Sequence, residues 1–189
     1  WLHAGELNVI AGVNAYNPPG GACDGTASAP GTYADTNGHG THGAGTIGAA
    51  DNATGVVGVA PGVKLISVRV FQGIDGSDAT VICGLDWIAA WNANHPSEVD
   101  DIDAVNMSLR GWTAADPHPG CDQLGDAGGI DTEEAAICAV ATTATILVAA
   151  GNETDDVSDY TPSRYESVIT SIIGAIMGMV GMDLHTMMD

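Results

Sequence analysis

The chain has 189 residues, room for one domain with a sizeable core. Its 24 acidic side chains face only 4 basic ones, a formal charge of −20. That balance argues against nucleic acid and against an anionic membrane surface, since both require Lys and Arg to meet phosphates.

Taken in chain order, the first element is an apolar run of strand length, LNVIAGV at 7–13. HGTHGAGTIGAA at 39–50 reads as a helix made almost wholly of small residues. VKLISVRVF at 63–71 is a second strand. SDATVICGLDWIAAWNAN at 77–94 is an amphipathic helix opened by a Ser/Asp cap. IDAVNMS at 102–108 is a third strand, and DTEEAAICAVATTA at 131–144 a helix capped by Asp131 with acids in its first turn. ATILVAA at 144–150 and SVITSIIGA at 167–175 complete the strands. The closing IMGMVGMDLHTMMD, 176–189, is Met- and Gly-rich without period, and is read as a disordered or non-native tail.

The five strand runs are nearly continuous in apolar character, which predicts burial on both faces, as in a parallel sheet. Strand alternating with helix predicts a three-layer αβα domain with right-handed crossovers. Ligands of such sheets sit beyond the carboxyl ends of the strands. That rule selects Ser108-Leu109 and Gly151-Asn152 as candidate site positions.

Four cysteines allow three complete pairings. Cys121 with Cys138 is favoured, because it would tie a Gly/Asp-rich loop to a helix for about 3 kcal/mol of loop entropy. Cys23 with Cys83 is the weaker pairing. Disulfides point to an extracytoplasmic setting. No stretch reads as a signal peptide or membrane span. The opening WLHAGELNVIAGVN already has the character of mid-domain sequence, so a fragment is expected. The scattered Asp suggests a salt-adapted exterior, whose self-repulsion weakens the fold at low ionic strength.

Glycine inside a helix costs about 1 kcal/mol against alanine, so Gly40, Gly43, Gly45 and Gly48 after His39 need a packing reason. A helix lying very close to the sheet supplies one, and projects His39 toward the strand ends. NGHGTHGAGTIGAADNATGVVGVAPGVKLISVRV resembles the active-site histidine region of the subtilisin-like serine proteases, the subtilases. DAVNMSL resembles their substrate-binding strand, ILVAAGNE their oxyanion-hole segment, and SDYTPSRYESVITSIIGA the strand region that follows. The pieces stand in family order from about Leu7 to Ala175.

The resemblance implies an α/β, subtilisin-like fold truncated at both ends, with 1–175 a partial peptidase domain. His39 matches the general base, an imidazole that takes the nucleophile's proton and returns it to the leaving amine. His42 matches a structural position on the same helix. Asn152 matches the side-chain donor of the oxyanion hole. Ser108, Leu109 and Arg110 match the edge that pairs with substrate backbone. Ala149, Ala150 and Gly151 would line a pocket whose small residues admit large apolar side chains. Relatives have glycine where Arg110 stands. That cation either narrows the substrate channel or recruits acidic substrates.

ADNATGVVG resembles the family's tight calcium loop. It implies carbonyls of Ala50, Thr54 and Val56 with the Asn52 side chain as oxygen ligands, and Glu6 near the place of a carboxylate ligand. The three Asn-X-Ser/Thr sequons, at Asn52, Asn106 and Asn152, overlap these sites or a strand and are discounted for glycosylation.

Two triad members have no match. The family's aspartate would precede Trp1, and Asp35, four residues before His39, is no substitute for it. The GTSMA-like serine turn is absent, and Ser163 and Ser171 lack its context. The reading is therefore a partial serine endopeptidase domain, extracellular in its intact, monomeric parent, acting on peptide or protein substrates and inactive as this piece. The alternatives are a non-catalytic peptide- or calcium-binding module, and a metal-binding protein built on His39 and His42. A core left partly open predicts poor solubility for the isolated chain.

Overall fold

The computed structural model describes residues 5–95, 101–112, 120–121, 131–152 and 154–171. The tail at 176–189 and the expected strand residues 172–175 lie outside them. Five strands run parallel in two ladders. β1 (Asn8–Asn14) pairs with β2 (Lys64–Arg69), with a register shift between Val9 and Ala11. β3 (Ala104–Met107), β5 (Thr145–Ala149) and β7 (Ile169–Ser171) form the second ladder in the order β3-β5-β7. A short antiparallel ribbon joins β4 (Gly111–Trp112) to β6 (Tyr160–Thr161). Among the described residues, β2 and β3 share no ladder.

The helices orient the two ladders. α1 (His39–Gly48) lies over β2, α2 (Asp78–Asn94) joins β2 to β3, and α3 (Thr132–Ala141) precedes β5. α2 begins with a capping box: the Ser77 hydroxyl accepts from the Thr80 amide and the Thr80 hydroxyl from the Ser77 amide. α3 begins with the Asp131 carboxylate accepting from the Glu133 amide at 2.9 Å. At the far end of α2, the Asn92 side chain bonds both backbone groups of Ile102, just before β3. It also reaches the Thr143 hydroxyl, just before β5. The amino ends of β3 and β5 therefore meet the end of α2, while its start follows the carboxyl end of β2. Both ladders point the same way and share one carboxyl rim.

A single core binds them. Ile66 and Val68 of β2 with Val70 just after it, Val105 and Met107 of β3, and Ile146 and Val148 of β5 enter one cluster with α2 and α3. Trp87, Leu85 and Ile88 of α2 are almost wholly buried there. Each such side chain contributes about 1.5–3 kcal/mol. The expectation of strands buried on both faces fails. Burial alternates along β3 and β5, leaving Asn106, Leu147 and Ala149 only half-buried. The physical reason is layer coverage. α2 and α3 cover one face, and α1, over the β1–β2 ladder, is the described helix on the other. Ile169 on β7 remains 55% exposed.

α1 ends at Gly48 rather than reaching Ala50, and its packing follows the glycine argument. A Cβ at Gly48 would stand 2.9 Å from Val63 Cγ1 and 3.3 Å from Leu65 Cδ1. Its last carbonyls find donors in the next loop: Val59, Ala60, Gly62 and Gly58 donate to Thr46, Ile47, Gly48 and Ala49. The favoured disulfide Cys121–Cys138, across 17 residues, and the weaker expectation Cys23–Cys83, across 60, are both present. The longer loop is worth about 4 kcal/mol by chain entropy, more than the shorter.

Candidate active site

His39 is the first residue of α1 and is half-buried. Gly40, Thr41 and Ala44 line a cavity of about 270 Å³ that runs along β2 from Leu65 to Arg69, and Arg69, the last residue of β2, donates to the Thr32 carbonyl and the Thr36 hydroxyl in the loop that enters α1. Gly48 lies instead against Val63 and Leu65, at the amino end. α1 thus runs antiparallel to β2, and its histidine stands at the carboxyl rim. Gly38, directly before it, has φ 104°, a left-handed conformation that favours glycine.

The helix start is held by a residue to which sequence reasoning assigned no role. Asp35 Oδ1 accepts from the amides of Asn37 and Gly38, both at 2.7 Å. Its Oδ2 accepts from the amide of Thr41 at 2.8 Å and its hydroxyl at 2.6 Å. Both oxygens are committed to the start of α1, the capping of orphan amides. This carboxylate positions the helix that carries His39.

Asn152 follows β5 at the same rim and is exposed. Gly151 before it has φ 94°, a second left-handed turn. Ala149, Ala150 and Gly151 are half-buried. Ser108, Leu109 and Arg110 follow β3. Leu109 is 9% exposed, and its side chain joins the core. Arg110 is exposed, with its guanidinium carbon 4.2 Å from the centre of the Tyr160 ring. Tyr160 donates its phenol hydrogen to Asp155 Oδ2 at 2.7 Å.

The expected cation loop is folded against Glu6. The Ala50 amide donates to the Glu6 carbonyl at 2.9 Å, and Asn52 Nδ2 donates to Glu6 Oε1 at 3.3 Å. Asn52 Oδ1 accepts from the Thr54 amide at 3.0 Å. Glu6 is 3% exposed, and its Oε2 is buried without a hydrogen-bond partner among the described residues. An orphaned buried carboxylate oxygen is costly unless a cation or proton meets it. Its surroundings fit a hard, oxygen-seeking cation. Among the described residues no group of three His, Cys, Asp or Glu side chains could hold a metal, so His39 and His42 gain no such third ligand.

Ser163 is 5% exposed and donates to the carbonyls of Tyr160 and Val157, a structural role. A further polar cluster went unread in the sequence. The Tyr165 hydroxyl donates to Asp131 Oδ2 at 2.8 Å and to Glu133 Oε2 at 3.2 Å. Burial pushes the Glu133 carboxyl up to about 7, partly offset by hydrogen bonds from Thr161 and Tyr165.

The model of the subtilase family matches residues 22–177. The chain belongs to the subtilase family. It is 34% identical over 146 residues to subtilisin DY of Bacillus licheniformis, covering 75% of the chain and 44% of that protein. It is 38% identical over 141 residues to the extracellular serine proteinase of Thermus sp. strain Rt41A, covering 74% of the chain and 28% of that protein. Among solved structures, a protease from Pseudoalteromonas arctica PAMC 21717 superposes with TM-score 0.62 at 27% identity, covering 89% of the chain and 51% of that one. The chain spans about half or less of the length of these subtilases.

Proposed function

We propose that this segment carries the general base, the oxyanion donor and the substrate edge of an extracellular serine endopeptidase. A peptide would add as a strand along Ser108–Arg110 and bring its scissile carbonyl to the rim between His39 and Asn152. His39 would hold and return the proton of the acyl-transfer step. The Asn152 amide would donate to the developing oxyanion. The attacking serine and the aspartate that orients His39 are not assigned to any residue of this chain, so the chain alone is expected to hydrolyse no peptide bond. One observation supports the reading: the start of α1 and the turn after β5, more than a hundred residues apart in the chain, each lie at the carboxyl end of a parallel ladder. The disulfides favour an oxidising compartment.

Calcium would be held by Glu6, the Asn52 side chain and the carbonyls of Ala50, Thr54 and Val56. Bound there, it would supply charge compensation and loop stability away from the chemistry. The orphaned Glu6 oxygen also suits a non-catalytic calcium-binding module, the second reading.

The test is fluorophosphonate labelling and casein hydrolysis by the protein that contains this segment with its flanking sequence. Activity that falls about 10²–10³-fold in Asn152→Ala, the size seen in a subtilisin, and far more in His39→Ala, supports the peptidase. Activity indifferent to both substitutions excludes it.

A further inference from the structure

The turn that enters α1 holds the chain's sole Asn-Gly pair, Asn37–Gly38. In such a pair the glycine nitrogen can attack the preceding carboxamide, because no Cβ shields it and its backbone bends readily. Asn37 is exposed, so its side chain turns in solvent. Yet the amides on both sides of Asn37 are tied to one atom. The Asn37 and Gly38 amides each donate to Asp35 Oδ1 at 2.7 Å. The other oxygen of the same carboxylate accepts from the amide and the hydroxyl of Thr41, in the first turn of α1.

The chemistry of the pair gives this clamp a second meaning. Cyclisation needs the Gly38 nitrogen to lose its proton and to point at Asn37 Cγ. The four donors around Asp35 favour its ionised form. A bond to that carboxylate keeps the proton on nitrogen and aims the N–H at Oδ1 instead. The adjacent negative charge also disfavours the amide anion that would attack. The clamp and the reaction therefore exclude each other.

We propose that Asn37–Gly38 is a deamidation site that Asp35 holds closed, and that opening of this turn converts it irreversibly. A bond forms from the Gly38 nitrogen to Asn37 Cγ, the Cγ–Nδ2 bond breaks, and ammonia leaves. Water then opens the cyclic imide at either carbonyl, leaving an aspartyl or an isoaspartyl residue at position 37. The net exchange is water for ammonia, with no oxidant or cofactor. The isoaspartyl form routes the backbone through the side chain and adds a methylene two residues before His39. That longer main chain cannot keep the Asp35 bonds in their present register, so the start of α1 is displaced. The modification stands apart from the peptidase reading; its effect on catalysis by His39 rests on that reading.

The test incubates this chain at mildly alkaline pH, folded and in guanidinium chloride, and follows position 37 by peptide mass mapping. The unfolded chain should gain the amide-to-acid mass there and split into two products. The folded chain should convert about ten- to a hundredfold more slowly, the factor for breaking a charge-assisted hydrogen bond. Asp35→Ala, with α1 shown folded by its amide resonances, should recover most of that factor. Native hydrogen exchange asks the same question without a substitution. The Gly38 amide should be slowed by a similar factor, because both reactions need it released. Equal conversion in the folded and unfolded chain, an unslowed Gly38 amide, or a folded Asp35→Ala that converts as slowly as the native chain overturns the clamp. A position 37 that stays unconverted in the unfolded chain overturns the site. In the protein with its flanking sequence, peptidase activity should fall in proportion to the isoaspartyl fraction. Full activity after conversion overturns the effect on His39 and leaves the peptidase reading standing. No activity before conversion sinks that reading alone.

Discussion

Glu6 and Asn52, 46 positions apart, meet at 3.3 Å through a carboxylate oxygen and a side-chain amide. The second oxygen of that carboxylate is buried and unmatched among the described residues. A cation there would bind the native state and not the unfolded chain, stabilising by mass action. Chelation of calcium should lower the apparent melting temperature by about 5–10 °C, the shift expected when a site filled to a hundred times its Kd is emptied. Glu6→Gln should erase the difference between chelated and calcium-loaded samples. A melting temperature blind to chelator in the native chain removes the site.

Glu133 predicts a pH dependence of opposite sign to that of most carboxylates. Its folded value, about 7, lies above the ordinary 4.5 because burial disfavours the charge. Its contribution is therefore fully present below pH 4.5 and lost as pH rises through about 7, by up to about 3 kcal/mol. Asp131 and Asp78 add to the rise, while Thr161 and Tyr165 oppose it. Glu133→Gln should flatten this limb, stabilising the protein at pH 8 with little effect at pH 4. Urea unfolding of both proteins across that range reads the difference directly.

Gly58 sits where the capping loop crosses the end of α1. A Cβ there would lie 2.5 Å from the Ala49 nitrogen and 2.7 Å from the Ile47 carbonyl oxygen. Those are backbone atoms that cannot swing aside. Gly58→Ala should cost about 1–3 kcal/mol, read as a lower urea midpoint at unchanged slope. Gly62→Ala, at φ 76° with open space around its Cβ, would be strained through its backbone alone.

The charge of −20 makes a solution prediction of its own. Screening the self-repulsion should raise the apparent melting temperature between about 0.01 M and 1 M salt, as the Debye length falls from about 30 Å to about 3 Å. A melt that ignores salt contradicts the picture of a salt-adapted surface.

The strands, the three helices and the two disulfides were legible because periodicity, caps and cysteine count are local signals. Ser77 and Asp131 open their helices where their residue types indicate. What could not be read locally was coverage. Continuous apolar runs predicted two buried faces, yet Leu147 and Ala149 are half-buried because nearby described helices lie on one side. His39 and Asn152 were nameable by motif, and their shared rim emerges only from the hydrogen bonds of Asn92 at the end of α2. Asp35 looked like an acid too near His39 to serve it. Its value lies in four donors supplied by a turn that no pattern of residue types announces. Tyr160 was likewise silent: Asp155 is a local partner, but Arg110 reaches its ring from fifty positions away.

The central claim is that His39 and Asn152 face one peptide-binding rim. It is tested most directly by adding a peptide with a nitroxide at one end and measuring which amide resonances of the chain it broadens. The account predicts that Arg110, Asn152 and His39 broaden together at saturating peptide. Broadening around Arg110 and Asn152 that never reaches the start of α1 would contradict it.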